Sequence, residues 1–365
     1  MIALLSLCIW FYLFCIHGRF WSSGPELRPS KPDQLPDVDV IVPARDEVAT
    51  IGPVIASLLA QDYAGRLSVI LVDDNSTDGT AAAAGRAPNL VILRGEPKPA
   101  GWSGKLWALS QGVALSRAPV VLFTDADIVH HPSHLSALVA RLDRPRVDMV
   151  SEMVRLNCNT PAERALIPAF VYFFQMLYPF ARVNNPRSRL AAAAGGTILI
   201  RRTALEAIGG IDAIGRALID DVTLAKAVKA QGTLYLGHSG LATSIRSYPD
   251  LASIWQMISR SAFTQLRHSS VWLLVTLLGL TLVWLVPVWA VLTGSFWVRV
   301  AGATSFALAF ISYQPTLRRY RLKPLWGLLL PLIALFYMAA TLGSAVNHWR
   351  GTGASWKSRA YGIER

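Results

Sequence analysis

The sequence predicts an α/β fold: a doubly wound, mostly parallel sheet joined to membrane helices. Short apolar runs alternate with helical patterns between residues 38 and 124, the rhythm of repeated βαβ units. Three acidic motifs, VDDNSTDGT, TDAD and IDD, each follow an apolar run directly. Apolar residues make up 53% of the 365 residues and charged residues only 16%, so part of the chain is expected to lie in lipid.

Four uncharged apolar stretches account for the apolar excess: 2–16, 269–298, 300–317 and 324–347. About twenty apolar residues suffice for a helix to span a bilayer. The first stretch has no Lys or Arg before it, and no small-residue cleavage site follows it. We therefore expect a retained anchor there rather than a signal peptide, with about three further membrane helices at the carboxyl end.

Basic residues predict the orientation of these helices, because Lys and Arg flanking a membrane helix favour the cytoplasmic side. They lie after the anchor (Arg19, Arg28, Lys31) and before the last run (Arg318, Arg319, Arg321, Lys323). Residues 18–268 are then cytosolic, and the turn near Gly294 faces outward. The same count would place the basic tail outside, against the rule. It therefore stays open whether one shorter run is interfacial or re-entrant.

We expect five regions along the chain. They are an anchor at 1–17, a linker at 18–36, a cytosolic catalytic domain at 37–268, transmembrane helices at 269–347 and a basic tail at 348–365. Within the domain, the patterns predict strands at 38–42, 67–72, 90–93 and 120–124, and helices at 48–59, from residue 80, and at 105–116. The aromatic stretch 165–183 fits either a core helix or a substrate-binding surface at the lipid interface.

Charge and cysteine content exclude several classes of protein. The net charge of +12 would suit nucleic acid, but no basic run is interleaved with aromatic residues. Attraction to anionic lipid headgroups accounts for it better, so we expect a membrane partner and no nucleic acid. Cys8 and Cys15 lie in the anchor and Cys158 is isolated, which leaves neither a disulfide framework nor metal-ligand spacing.

The first two motifs predict a nucleotide site. PARDE, at residues 43–47, follows the first strand, and Asp73 and Asp74 end the second. Carboxyl ends of parallel strands share one crevice, where such carboxylates can accept hydrogen bonds from a base and a ribose. The absence of G-x-G-x-x-G after either strand argues against a dinucleotide fold.

The next two motifs predict phosphate and metal contacts. Lys105 follows a Gly-containing loop at the start of a helix and can meet a diphosphate, although the spacing is not that of a Walker loop. Asp125 and Asp127 end the strand VVLFT. At a strand end, one of them can bind Mg²⁺ or Mn²⁺ while the other contacts a ligand hydroxyl.

The last motif supplies a candidate base. AGGT, at residues 194–197, precedes a strand, and Asp220 and Asp221 open a helix. Asp commonly caps a helix amino terminus, so we expect Asp220 to be the cap and Asp221 to point into the cleft as a general base.

Together, PARDE, VDDNSTDGT, GKLWAL, TDAD, AGGT and IDD resemble the family 2 glycosyltransferases with the GT-A fold. The anchor, FTDADIVHHP, SRSAFTQLRHS and the carboxy-terminal hydrophobic runs are similar to the hopene-associated glycosyltransferases of bacterial hopanoid gene clusters. The resemblance implies a bacterial inner-membrane protein with a cytoplasmic catalytic domain. It also implies a nucleotide-sugar donor, a lipid acceptor and Mg²⁺ or Mn²⁺.

The resemblance also implies residue roles. Pro43, Ala44, Glu47, Asp73 and Asp74 would form the nucleoside pocket. Lys105 would lie beside the base or diphosphate, Asp125 would contact the donor, Asp127 would bind the metal, and Asp221 would be the base of an inverting transfer. Asp220, Gln265 and Arg267 are candidates for acceptor or diphosphate contact.

Two departures from the family pattern bear on function. Asp220 stands where the family often has Glu, and residues 265–268 read QLRH where chain-extending members carry Q-x-x-R-W. The missing Trp argues against a processive synthase. The alternatives are a polysaccharide or polyprenyl-phosphate sugar synthase of the same family, or a membrane scaffold with a degenerate transferase fold.

Overall fold

The computed structural model describes residues 1–143 and 146–351 in full, and only the backbone of 355–356 and 359–360. Most of the expected basic tail at 348–365 lies outside the described residues. The strands are β1 Glu26–Leu27, β2 Val38–Ala44, β3 Leu67–Asp73, β4 Leu90–Arg94, β5 Val120–Thr124, β6 Ile128–His130, β7 Met149–Arg155, β8 Thr197–Arg201, β9 Leu234–Ser244, β10 Ser355–Trp356 and β11 Arg359–Ala360.

The helices that precede the membrane segments are α1 Ile2–Phe11, α2 Val48–Leu59, α3 Thr80–Ala83, α4 Gly104–Leu115, α5 His134–Asp143, α6 Pro161–Leu177, α7 Phe180–Val183, α8 Arg202–Ala207, α9 Asp220–Gln231, α10 Leu251–Ser259 and α11 Ala262–Gln265. A π-helical turn at Tyr12–Ile16 extends α1. The membrane-segment helices are α12 Ser270–Leu280, α13 Val286–Thr293, α14 Phe296–Arg319 and α15 Leu330–Trp349.

The main sheet runs in the order β1-β9-β7-β8-β5-β2-β3-β4, with β6 paired to β9. Strands β5, β2, β3 and β4 are mutually parallel, whereas β8 is antiparallel to both of its neighbours. The predicted mixed, mostly parallel α/β sheet is therefore confirmed. Because β2, β3 and β5 point the same way, their carboxyl ends bring PARDE, VDDNSTDGT and TDAD to one edge of the sheet.

Alternation along the strands buries both faces of the sheet. Val40 and Val42 of β2 pack with α2 and α5 on one face, whereas Ile41 packs with α4 on the other. The predicted helix from residue 80 is a single turn, since it ends at Ala83. Its neighbour α2 has the predicted bounds, because its apolar stripe recurs over the full twelve residues.

Three carboxy-terminal helical segments are long and apolar enough to cross a membrane among the described residues: Ser270–Thr293, Phe296–Arg319 and Pro324–Trp349. A turn at Gly294 and Ser295 separates the first two. The amino-terminal helix is shorter, at Ile2–Ile16, and packs against this bundle. Its Trp10 indole donates to the Val283 carbonyl at 2.8 Å, so the anchor and the carboxy-terminal helices form one packed unit.

Helix α6 connects the sheet domain to the membrane helices. Thr160 and Glu163 form a reciprocal capping box at its start, with Pro161 in the first turn. Tyr172 of α6 hydrogen-bonds Ser312 of α14 at 2.7 Å, and Tyr337 of α15 donates to the Leu166 carbonyl at 2.9 Å. The aromatic stretch is therefore a packed helix that also faces the cavity described below.

Candidate active site

The loops after β2 and β3 are held together by polar side chains of the first two motifs. The amide of Asp46 donates to Ser76, and the Asp46 carboxylate accepts from the Thr77 amide at 2.9 Å. Thr80 accepts from the Glu47 amide at 2.8 Å. Much of PARDE and NSTDGT therefore fixes loop geometry, which the sequence motif alone does not distinguish from ligand binding.

The Asp73–Asp74 pair lies at the predicted edge but is recessed. Asp74 is 1% exposed, and its carboxylate lies 3.6 Å from the Arg45 guanidinium. Asp73 accepts a hydrogen bond from the Ser76 amide at 3.1 Å. Neither residue, nor Ala44, lines the large cavity, whereas Pro43 and Glu47 do.

Lys105, at the start of α4, joins two of the predicted acidic residues. Its Nζ lies 2.8 Å from Asp125 Oδ1 and 3.2 Å from Asp220 Oδ2. Burial disfavours the ammonium form, but Asp125 and Asp220 outweigh this and raise the pKa of Lys105. The helix cap of α9 is Ile219, without a side-chain bond, so the expectation that Asp220 caps α9 is wrong. The Asp220 carboxylate forms the ion pair with Lys105 instead.

Asp221 lies beside this ion pair. Its Oδ2 accepts from the Gly195 amide at 2.9 Å, and its Oδ1 accepts from the Val222 amide at 2.7 Å. Burial, with Asp220 second, raises the pKa of Asp221 to about 7, although Lys105 opposes the shift. A carboxylate with that pKa is suited to accept a proton near neutral pH.

Gly195 lies close to the acidic cluster that Asp125, Asp220 and Asp221 form around Lys105. A Cβ placed there would lie 3.3 Å from Lys105 Nζ and 3.4 Å from Asp221 Oδ2. A larger residue would therefore require the lysine ammonium to shift by a few tenths of an ångström, and glycine lets the backbone approach without that shift.

Arg246 connects Asp127 to Glu47 and is a residue that the sequence reasoning missed. Its Nε donates to Asp127 Oδ2 at 2.8 Å and its terminal nitrogen to Glu47 Oε1 at 2.5 Å. Burial disfavours the guanidinium, yet Asp127 and Glu47 raise the pKa of Arg246. Arg246 lies two residues after the end of β9, and no sequence motif marks it.

The carboxylates fit a hard divalent cation, although they do not form a complete site. Lys105 and Arg246 engage one oxygen each of Asp125 and Asp127, and the second oxygens receive no hydrogen bond from the described part of the chain. Among the described residues, no three His, Cys, Asp or Glu side chains gather as a metal site. Two protein carboxylates, with phosphate oxygens and water as the remaining ligands, are typical of Mg²⁺ or Mn²⁺ bound with a nucleotide.

A cavity of about 1510 Å³ joins this polar cluster to the membrane helices. One end is lined by Glu47, Lys105, Asp125, Asp127, Asp221 and Arg246. The other end is lined by Phe173, Phe174, Leu177, Leu280, Ala334 and Tyr337. The polar and apolar walls therefore belong to one continuous space, large enough for a ligand with both a polar and an apolar part.

The carboxy-terminal candidates separate in the structure. Gln265 lines the cavity and donates to the Tyr178 hydroxyl. Arg267 is exposed and does not line it. Arg216 and Arg260 also line the cavity. Arg260 belongs to the SRSAFTQLRHS segment, whereas no motif marks Arg216.

Comparison with known proteins places this arrangement in a family. A sequence profile described as Glycosyl transferase family 2 matches residues 39–209. An N-acetylglucosaminyltransferase of Bradyrhizobium elkanii is 32% identical over 132 residues, which cover 34% of this chain and 70% of that protein. The chain belongs to glycosyltransferase family 2.

A second relative of the family 2 chain is the beta-monoglucosyldiacylglycerol synthase of Synechocystis, 30% identical over 202 residues. That match covers 52% of this chain and 39% of the synthase, so the chain spans well under half of this relative. Among solved structures, the mannosyltransferase PcManGT from Pyrobaculum calidifontis, in complex with GDP-Man and Mn²⁺, is similar with a TM-score of 0.55. It is 20% identical, and the similarity covers 94% of this chain and 97% of that one, which establishes a shared GT-A fold.

Proposed function

We propose that this family 2 chain is a membrane-bound inverting glycosyltransferase that moves a sugar from a nucleotide-sugar donor to a lipid acceptor. The observation that carries the proposal is the single cavity between the acidic cluster and the apolar wall of α6, α12 and α15. A soluble donor and a membrane lipid have opposite solubilities, and such a cavity lets both reach one reaction centre.

In the proposed reaction, Asp221 acts as the general base. It takes the proton of the acceptor hydroxyl as that oxygen bonds to the anomeric carbon from the face opposite the nucleotide. The bond between the anomeric carbon and the diphosphate breaks, and its electron pair leaves with the nucleoside diphosphate. One displacement inverts the anomeric centre and leaves no covalent sugar–enzyme intermediate. A base in this position typically contributes a rate factor of about 10²–10⁴.

The remaining polar residues bind and orient the donor. Pro43 and Glu47, which line the cavity, form the nucleoside side of the site, and the recessed Ala44, Asp73 and Asp74 support it from behind. Asp125 contacts the donor, Lys105 carries positive charge beside the diphosphate, and Asp220 holds Lys105 in place. We assign Gln265 to the acceptor side, since it lines the cavity and donates to the Tyr178 hydroxyl.

The donor complex would include Mg²⁺ or Mn²⁺, held by Asp127 with Asp125 nearby. Such a cation neutralises charge on the departing diphosphate. PcManGT, with the same fold, was solved with both GDP-Man and Mn²⁺, which supports this proposal.

We place the protein in a bacterial inner membrane with residues 18–268 in the cytoplasm, where nucleotide sugars are made. Hydroxylated hopanoids are the first acceptors to test, because the sequence is similar to the hopene-associated members of the family. A polyprenyl phosphate is the second candidate. Arg260, at the end of α10, lines the cavity beside its apolar wall and would suit a phosphate headgroup.

The proposal is tested with the purified full chain in nanodiscs. The chain is incubated with Mn²⁺, a panel of nucleotide sugars, and separately a hydroxylated hopanoid, diacylglycerol or a polyprenyl phosphate. We expect acceptor-dependent release of nucleoside diphosphate and a new glycolipid by mass spectrometry, both lost in Asp221→Asn. Donor turnover without any glycolipid in every lipid arm would contradict a lipid acceptor. An absence of both donor binding and turnover would contradict the transferase itself.

A further inference from the structure

Behind the acidic cluster lies a buried chain of hydrogen bonds that the reaction above does not use. Thr124 Oγ1 lies 3.1 Å from His130 Nε2, His130 Nδ1 lies 2.8 Å from His134 Nδ1, and His134 Nε2 lies 2.7 Å from Glu152 Oε2. All four residues are at most 3% exposed. Polar groups buried this deeply cost free energy unless they are paired, so the chain calls for a physical explanation.

The contact with Gly196 assigns a direction to the hydrogen bonds. The Gly196 carbonyl can only accept, so at 2.9 Å the Thr124 hydroxyl proton is assigned to that bond. Thr124 then offers only lone pairs to His130, which we assign as the donor from Nε2. Burial, reinforced by His134, holds the pKa of His130 well below its ordinary value. His130 is thus neutral, with a bare Nδ1 that accepts from His134 Nδ1–H.

The far end of the chain follows from the same reasoning. With Nδ1 of His134 already protonated, one further proton lies between its Nε2 and the Glu152 carboxyl. Whichever atom holds that proton, every other donor in the chain points from Glu152 towards Gly196. The chain is therefore directional and ends on the carbonyl of the AGGT loop.

The AGGT loop is the segment that contacts Asp221. The Gly196 carbonyl accepts from Thr124 and also from the Asp125 amide at 3.4 Å. One residue earlier, the Gly195 amide donates to Asp221 Oδ2. Ser151, next to Glu152 on β7, holds the other side of the loop through the amide and carbonyl of Ala194. The loop is thus held from β5 and β7 while its Gly195 amide donates to Asp221.

We propose that His130, His134 and Glu152 are positioning residues. Through Thr124 they hold the Gly196 carbonyl, and so aim the Gly195 N–H at the carboxylate of Asp221. This inference rests on the proposed function, in which Asp221 is the base. Misplacement of a catalytic group by about 1 Å can cost about 10²-fold in rate, so a chain with no contact to substrate still controls turnover.

The test compares four single variants of the full chain in nanodiscs. His130→Leu removes both hydrogen-bonding nitrogens of His130, and Thr124→Val removes the Thr124 hydroxyl with little change of shape. These two are the cut-chain variants, because each interrupts the chain of hydrogen bonds. His130→Gln is the conservative variant, because its amide can donate to Thr124 and its carbonyl can accept from His134. His131→Gln changes the adjacent, exposed histidine and is the matched control.

For His130→Leu and Thr124→Val we expect kcat to fall by about 10–100-fold with donor Kd within twofold of wild type. His130→Gln should recover most of kcat, and His131→Gln should leave it unchanged. Melting temperatures identify variants that fail to fold. Should His130→Leu be one of them, Thr124→Val decides. A folded cut-chain variant with normal kcat, or an equal loss in His130→Gln, overturns the proposal.

A second readout does not need turnover. Hydrogen exchange of the Gly195 amide should be at least about tenfold faster in His130→Leu and Thr124→Val, and unchanged in His130→Gln and His131→Gln. If wild type exchanges slowly and the cut-chain variants exchange fast while no protein transfers sugar, the proposed function fails and the positioning of the loop stands. Unchanged exchange in folded cut-chain variants contradicts the positioning whatever the activity.

Discussion

The two ends of the cavity, which we call the donor end and the acceptor end after the proposed function, are built on different principles. At the donor end, Lys105 and Arg246 form ion pairs with carboxylates from the loops after β2 and β5 and from the start of α9. At the acceptor end, the wall consists of apolar faces of α6, α12 and α15. Charged, directional pairs hold the donor end in one geometry, whereas apolar packing sets only the shape and volume of the acceptor end. Substitutions at the two ends should therefore affect different kinetic constants.

The largest effect is expected at Asp221, the proposed general base. Asp221→Asn keeps the shape of the side chain but cannot accept the proton, so kcat should fall by about 10³-fold while donor Kd stays within threefold. Glycolipid formation and donor titration by calorimetry measure the two quantities. Glu206→Gln, an exposed change on α8, is the control. Near-normal turnover in Asp221→Asn would remove Asp221 from its role.

The pH dependence should be next in size. Asp221 must be ionised to act, and burial raises its pKa to about 7, so kcat/KM should fall as pH drops below about 7. Well below the pKa the fall is about tenfold per pH unit, and because Asp221 is half ionised at pH 7 the loss between pH 7 and pH 5 is about 50-fold. Lys105 lowers the pKa of Asp221. Lys105→Met should therefore move this limb to higher pH, and a shift to lower pH would contradict the assignment.

The contrast between the two ends also explains what the sequence could predict. The strand ends β2, β3 and β5 were predictable because short apolar runs followed by acidic residues carry both the fold and the chemistry. Arg246 was not, because it reaches Glu47 across 199 residues and no local pattern marks a long-range ion pair. The recessed position of Asp74 was missed for another reason. The same motif supplies both loop contacts and possible ligand contacts, and the sequence does not tell them apart.

The acceptor wall illustrates the opposite limit. Hydrophobicity predicted apolar stretches at 269–298 and 324–347, where the structure has the helical segments Ser270–Thr293 and Pro324–Trp349, but not which of their faces turn inward. Helix α15 is apolar nearly all round, so its sequence has no clear stripe to mark the cavity side. The volume between α6 and α15 exists only through the packing of elements more than 150 residues apart.

Arg246 sharpens the comparison from the donor end. Arg246→Lys keeps one charge but loses the fork that reaches Asp127 and Glu47 together. We expect donor KM to rise about 10–30-fold, and stability to fall by about 1 kcal/mol, because the arginine is partly exposed and its ion pairs are screened. Initial rates against donor concentration and thermal unfolding measure this. Arg216→Lys, at another part of the cavity wall, should cost less than Arg246→Lys.

A substitution in the apolar wall should affect the acceptor alone. Thr341 lines the cavity on α15, whereas its neighbour Leu342 is 44% exposed on the bundle surface. Thr341→Trp fills part of the cavity and should raise acceptor KM by about tenfold, as expected for a lost hydrophobic fit, with donor Kd unchanged. Leu342→Trp is the matched control. An equal effect of both changes would show that the wall around Thr341 does not bind the acceptor.

The smallest effect is expected at Arg267, where motif comparison and structure disagree. The sequence comparison makes Arg267 a candidate for acceptor or diphosphate contact, yet its side chain is exposed and outside the cavity. Its backbone has φ 55°, as His268 has φ 54°, so the segment turns sharply between α11 and α12 and carries the guanidinium away. Arg267→Gln should change kcat and donor KM by less than about twofold, the usual outcome for an exposed side chain. Gln265→Leu, which loses the bond to Tyr178 inside the cavity, should affect the acceptor KM more. A tenfold loss in Arg267→Gln would mean that this turn rearranges when the donor binds, and that the motif rather than the free structure identifies the contact.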